Sequence, residues 1–463
     1  MQGRYTTLIK NMLIFGLGLL GSKFVQFMLL PYFTNVLSTA EYGIIDLTVT
    51  FVGLAVPVVS LELSDAMLRF GLSEDTDKKS LFKNGVMVLL GASLFVLLLS
   101  PLLVFYKSIS PWKWYIVILV VLQCFKTNFA LFVKAENKVV VYSVDSILTA
   151  LVTAGADVVL LSVYRRGISG YFTAEILGNL VSVCFLFLAG GLGRYWEWAR
   201  PVDWKLLTQM LKYSVPLMFN AVSWWITSFS DRVVLDLFFS STDVGIYSVA
   251  AKVPAIITTL LSVFTQAWII SAVKEYEKER NVLFFEKIYH TYSALLFSMV
   301  SVVMLLIRPM MKVYVGEAFY GAWYYVPLLL IGTAFLGISN YYGAVYAAAK
   351  ANLLEIKSTI LCAGSNLLLN LLLIPRLDIL GAVLATMMSY VIVVIVRIVD
   401  TKKIMKLGMG KWDLGVGFCL LSLEAVLVMH DCQISAALTM AMVCGMNFRK
   451  VVRVKSLENS ETG

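Results

Sequence analysis

The sequence predicts an all-α polytopic membrane protein with about 14 transmembrane helices, arranged as two six-helix lobes related by a parallel repeat plus two C-terminal helices. Three observations predict it. The 463 residues are 59% hydrophobic and only 14% charged, about half the charged share of a soluble domain. Apolar runs of roughly 17 to 25 residues recur from residue 8 almost to residue 447, each long enough to cross a bilayer. No segment between them is long and polar enough for a separate soluble domain. Lipid cannot bond backbone amides, so runs this continuous must be helices; barrel strands would be near ten residues and alternating.

Polar breaks place the spans near 9–34, 43–68, 84–105, 113–133, 139–163, 168–190, 213–237, 244–272, 288–309, 321–348, 353–375, 379–398, 412–429 and 433–447, the last being short. The first apolar run is too long for a signal-peptide core and has no clear small-residue cleavage site, so it reads as a retained helix. The net charge of +9 does not point to nucleic acid, because the bases lie in short clusters between apolar runs rather than on an aromatic-interleaved face. With the N-terminus inside, 27 of the 38 Lys and Arg fall on inner segments, 7 on outer loops and 4 within helices. That asymmetry predicts the orientation, with both termini on the inner, cytoplasmic side. One span too many or too few would move every later loop to the other side and weaken the bias. Six cysteines (124, 184, 362, 419, 432 and 444) match no metal or disulfide spacing and read as packing residues; no metal or cofactor is expected.

Two phrases recur. STAEYGI at Ser38 to Ile44 follows the first span and STDVGI at Ser241 to Ile246 follows the seventh; ISGYFTA at Ile168 to Ala174 and ILGAVLA at Ile379 to Ala385 open the sixth and twelfth. Six helices separate the members of each pair, and an even number per repeat leaves both halves in one orientation. The expected organisation is a first lobe over 1–190, a basic linker over 191–212, a second lobe over 213–400, two further helices over 401–447 and a basic tail over 448–463.

The passage NMLIFGLGLLGSKFVQFMLLPYFTNVLSTAEYGIIDL, Asn11 to Leu47, resembles the opening of bacterial polysaccharide flippases of the multidrug/oligosaccharidyl-lipid/polysaccharide exporter superfamily. SDRVVLDLFFSSTDVGIYSVAAKVPAI, Ser230 to Ile256, resembles the start of their second lobe, and LLLNLLLIPRLDILGAVLAT, Leu367 to Thr386, their eleventh and twelfth spans. The resemblance implies translocation of an undecaprenyl-diphosphate-linked oligosaccharide from the inner to the outer membrane face, for O-antigen, capsule or exopolysaccharide, by alternating access. Polymerases and other polysaccharide-assembly proteins would be partners.

Charges within the spans are the candidate site residues, since an ionised group at membrane depth faces a protein interior or a wet cavity and has a partner. Lys23, Lys126 and Lys252 have no acid within four residues. Their partners must come from other helices, water or an anionic ligand, and the phosphate oxygens of a lipid diphosphate suit such a cationic cavity. Lys252 also lies near enough to a span end to snorkel. Arg232 is flanked by Asp231 and followed one turn on by Asp236; the trio is either an i, i+4 brace or a contact with cargo. Asp145, Asp157, Asp231 and Asp236 are candidates for ion coupling, by proton or sodium, or for counter-charge. Asp145 and Asp157 are twelve residues apart, about 120° away from a shared helix face. Trp224, Trp225 and Trp268 offer ring faces that suit sugars, with core packing the commoner role. Pro216 and Pro254 could bend helices.

An enzyme is not expected. The outer connections are too short to grip an extended glycan as a polymerase would, the inner loops are basic rather than metal-binding, and only His290 and His430 exist. A drug/cation antiporter of the same superfamily is the nearest alternative, expected to line its cavity with acids rather than with Lys23, Lys126, Arg232 and Lys252.

Overall fold

The computed structural model describes residues 24–461 apart from 26, 198, 279–281 and 406–410, so Lys23 lies outside the described residues. Every regular element among the described residues is helical. The chain separates into two compact units, one up to Trp225 and the other from Ile226.

The first unit contains α1 (Phe27–Val36), α2 (Thr39–Ser60), α3 (Leu63–Gly71), α4 (Lys78–Leu99), α5 (Lys113–Ala135), α6 (Val139–Val158) and α7 (Gly167–Ala189). Helix α8 (Trp204–Phe238) runs from the first unit into the second, which continues with α9 (Ser241–Lys278), α10 (Val282–Tyr314), α11 (Val326–Ala348), α12 (Asn352–Leu377), α13 (Ile379–Ile404), α14 (Lys411–Met429) and α15 (Gln433–Glu461). With the short α3 set aside, these helices occupy the fourteen predicted positions. Ten are long and apolar enough to cross a membrane, and Phe27–Val36 and Leu414–Met429 are shorter apolar helices.

The second predicted span is corrected. It is not one helix over 43–68 but breaks after Ser60, where Leu61 and Glu62 both adopt positive φ, 53° and 50°. Pro57 supplies no N–H to the helix ladder, and its carbonyl instead receives the amide of Glu62 at 2.9 Å. In the second unit, α11 is the most buried of the ten spans and the least apolar. Facing protein rather than lipid, it can carry Thr333, Ser339 and three buried tyrosines. Trp268 belongs to this packing: its ring stacks on Tyr341 at 5.0 Å and its indole N–H donates to the Tyr341 carbonyl at 3.2 Å.

Both recurring phrases have local causes. Ser38 caps α2 through a reciprocal box with Glu41, whose carboxylate accepts the Ser38 amide at 2.9 Å. Ser240 and Asp243 open α9 alike, the Asp243 amide donating to Ser240 Oγ at 3.4 Å. The second phrase follows a backbone reversal, at Gly167 with φ 52° as the first residue of α7 and at Asp378 with φ 54° and ψ −135° before α13. Glycine adopts such angles without steric cost and aspartate does not. Asp378→Gly should therefore stabilise the protein by about 1 kcal/mol, read as a higher thermal midpoint in detergent.

The connection from α7 to α8 is clipped onto the first unit. Arg200 pairs with Asp77 and, at 3.1 Å, with Glu197, while Glu197 also pairs with Lys79. The Asn84 amide donates to the Asp203 carbonyl at 2.8 Å, and Trp196 lies against Phe82 with the Lys83 ammonium 5.5 Å from its ring. Burial alone would push the Asp77 carboxyl up, but hydrogen bonds from Ser80 and Lys79 and the Arg200 charge hold it below the ordinary carboxylate value. Hydrogen bonds from Lys79 and Arg200 lower that of Glu197. A depressed folded-state value means that the ionised form stabilises the clip: its contribution is complete above about pH 5 and is lost as pH falls through the lower folded values. Hydrogen exchange of peptides covering 199–203 should be slow at pH 6 and accelerate, after correction for intrinsic rates, below pH 4.

Candidate functional site

In the second unit, SFSDRVVLDLFF folds as the outgoing half of α8, and Asp231 sits at the centre of a buried polar cluster drawn from four helices. Its carboxylate accepts from Tyr247 of α9, from the Asn370 amide of α12 and, at 2.8 Å, from Thr386 Oγ1 of α13. Around it, Ser230 Oγ donates to Asn366 Oδ1 at 2.8 Å, and the Asn370 amide reaches Ser230 Oγ at 3.0 Å and Asn366 Oδ1 at 3.1 Å. Asp231 is 1% exposed. Asn370 Oδ1 is buried without a hydrogen-bond partner. Three donors on one carboxylate replace the hydration that burial removes. The unpartnered amide oxygen beside it leaves acceptor capacity for a proton or a small cation.

Arg232 lies with its guanidinium 5.5 Å from the Tyr247 ring, which itself donates to Asp231, so the two charges of the pair meet through that tyrosine. Asp236 accepts from Ser241 Oγ at 2.7 Å, fixing the α8–α9 turn. Lys252 is half-buried on α9.

The first unit holds a second charged group. Lys126 of α5 has Asp145 of α6 and Glu175 of α7 as its nearby charges. Both acids lie on other helices, one of the three sources of a partner that the absence of a local acid left open. Asp145 accepts from Ser182 Oγ of α7 at 2.6 Å, and Tyr171 donates to Glu175 at 3.4 Å. Asp157, 1% exposed, has Oδ1 without a hydrogen-bond partner and Glu175 as its nearby charge. It immediately precedes a π-helical turn, Val159–Val163, where the Tyr32 hydroxyl meets Ser162 Oγ at 2.7 Å. Asp145 and Asp157 therefore have different surroundings, Asp145 beside Lys126 and Asp157 beside Glu175. Trp225 is held by its indole N–H on the Thr50 carbonyl at 2.7 Å, and the side chain of Trp224 lies outside the described residues.

Sequence reasoning named Asp231 but not its neutral partners. Asn366 and Asn370, i and i+4 in the apolar run SNLLLNLLLI, were the signal. It did not single out Arg397. That guanidinium is 3% exposed, donating to Ser358 Oγ at 3.1 Å and the Ser339 carbonyl at 2.8 Å, with the Tyr346 ring at 5.7 Å. Those contacts brace α11, α12 and α13.

The chain matches the family described as polysaccharide biosynthesis protein over residues 8–270. A protein of the Lsg locus of Haemophilus influenzae is 26% identical over 341 residues, covering 70% of this chain and 80% of that one. A Haloferax volcanii protein named probable low-salt glycan biosynthesis flippase Agl15 is 22% identical over 397 residues, 82% and 79% of the two chains. Among solved structures, the inward closed lipid II flippase MurJ superposes with a TM-score of 0.71 at 12% identity, over 97% of this chain and 99% of that one. An inward-facing multidrug resistance MATE family transporter of the MOP superfamily gives 0.65 at 13% identity, over 85% and 96%. The fold is the one these two structures share.

Proposed function

Because the chain belongs to the polysaccharide biosynthesis protein family, we propose that this multi-pass membrane protein is a flippase moving an undecaprenyl-diphosphate-linked oligosaccharide from the inner to the outer face of the plasma membrane, by alternating access of its two lobes. The family match, which extends through the whole first unit into α9, is the observation that carries the reading. The charge asymmetry of the loops supports cytoplasmic termini. A polymerase and other surface-polysaccharide proteins would take the glycan onward.

In this reading Lys126, Arg232 and Lys252, with Lys23, meet the diphosphate. Lys126, with Asp145 and Glu175 as its nearby charges, exchanges those neighbours for phosphate oxygens when cargo arrives. Asp231 takes the coupling proton or cation, with Asp157 as the counterpart in the first unit; Asp145 and Asp236 serve as counter-charge and turn anchor. The acids around Lys126 favour a second reading, an ion-coupled drug/cation antiporter, whose cavity such carboxylates would suit.

Deletion in the native host with complementation separates the two. Loss of surface polysaccharide and build-up of its lipid-linked precursor, restored by the wild-type chain and poorly by Lys23→Ala or Lys126→Ala, is the expected result. Unchanged polysaccharide with heightened drug sensitivity would establish the antiporter.

A further inference from the structure

The two C-terminal helices carry a carboxylate that the transport reading does not use. Glu424 of α14 is 0% exposed, and one of its oxygens accepts from Ser301 of α10. The other, Oε1, is buried with no hydrogen-bond partner. One turn away on α10, Ser298 receives the amide of Asn447 of α15 at 3.3 Å, and Asn447 Oδ1 is likewise buried and unpartnered. Two acceptors without donors thus flank adjacent turns of α10. Helices α10, α11 and α14 pack closely here: a Cβ on Gly417 would lie 2.5 Å from the Phe297 ring, and Phe335 meets Phe418 at 5.4 Å.

Among the described residues, the packed stretches of these helices offer no compensating charge. From Tyr292 to Leu306 on α10, from Leu414 to Met429 on α14 and from Gln433 to Asn447 on α15, the titratable groups are Tyr292, Glu424, Cys419 and Cys444, and α11 adds only Tyr341, Tyr342 and Tyr346. Among the described residues the nearest arginine on α10, Arg308, pairs instead with Asp431 of the α14–α15 turn. An ionised carboxylate with one hydroxyl donor in such a place loses its hydration and gains no partner. A protonated one carries no charge to hydrate and supplies an O–H donor to a region that holds unpartnered acceptors.

We infer that Glu424 is a proton-binding site which, when occupied, latches α14 and α15 onto α10, and whose ionisation loosens the pair. This inference stands apart from the transport function and survives if the cargo is something else. Glu424→Gln reproduces the neutral acid, with an amide donor in place of the O–H, and Glu424→Met removes the proton while keeping the volume.

The test uses the full chain in lipid nanodiscs between pH 6 and 9. In infrared spectra, wild type minus either variant should show a protonated carboxyl C=O band at pH 6 that declines toward pH 9. Hydrogen exchange of peptides covering 414–447, corrected for intrinsic rates, should rise several-fold at pH 9 in wild type and remain flat in Glu424→Gln. A carboxylate band already present at pH 6, or equal exchange in wild type and Glu424→Gln at pH 9, overturns the inference. Neither measurement depends on transport.

Discussion

Asp231→Ala should be among the most damaging single substitutions in the second unit. It leaves the Tyr247 hydroxyl, Thr386 Oγ1 and the Asn370 amide without the acceptor that draws α9, α13 and α12 to α8. A buried donor stripped of its partner costs about 1–3 kcal/mol, and because the three share one centre their losses are not additive. An overall loss of about 3 kcal/mol is expected, read as a lower thermal midpoint in detergent. Asp231→Asn separates a brace from a coupling site. Its carbonyl oxygen keeps one acceptor, so stability should fall by about 1 kcal/mol, while its neutral amide can neither carry a proton nor compensate a bound cation. If Asp231 couples transport, Asn at this position should reduce polysaccharide export at least tenfold with the protein still folded. Export at the wild-type rate would leave Asp231 a structural hub only.

That cluster also shows where sequence reasoning reaches its limit. Span number and order were legible because lipid imposes one requirement on every span, continuous apolarity, and the loop charges test the count. The break at Leu61 and Glu62 was not legible, since both residues fit an ordinary helix and only the path around Pro57 turns them left-handed. Buried charges could be found one by one, since any ionised residue in an apolar run is conspicuous. Their partners could not, because Asn370 and Thr386 follow Asp231 by 139 and 155 residues and are neutral. Lys126 illustrates the same point from the other side. Its lack of a local acid suggested an anionic cargo, yet folding brings Asp145 and Glu175 near it, so the lysine that stands alone in the sequence has acidic neighbours in the fold.

The repeated glycine of the ISGYFTA and ILGAVLA phrases yields the second large effect. A Cβ on Gly381 would lie 2.5 Å from the Leu373 carbonyl oxygen and 2.6 Å from its carbon. These are backbone atoms of α12, which cannot rotate aside, so even alanine must push α13 off α12. At Gly170 the added carbon would meet the Arg166 Cβ at 3.1 Å, a Leu161 methyl at 3.2 Å and the Leu160 carbonyl oxygen at 3.3 Å, milder contacts that small adjustments of the neighbours relieve. Gly381→Ala should therefore cost about 3 kcal/mol and Gly170→Ala about 1 kcal/mol, following the range for overpacked interiors. The larger substitution should also impair export beyond its effect on stability, because Thr386 lies five residues along α13 and its hydroxyl is withdrawn from Asp231 as the helices part. Thermal unfolding of both variants, with export measured at matched protein levels, tests the pair together. Equal stabilities would mean that the α12–α13 hairpin is not closed on Gly381, whereas the expected asymmetry assigns the glycine to helix approach and ties that approach to the Asp231 centre.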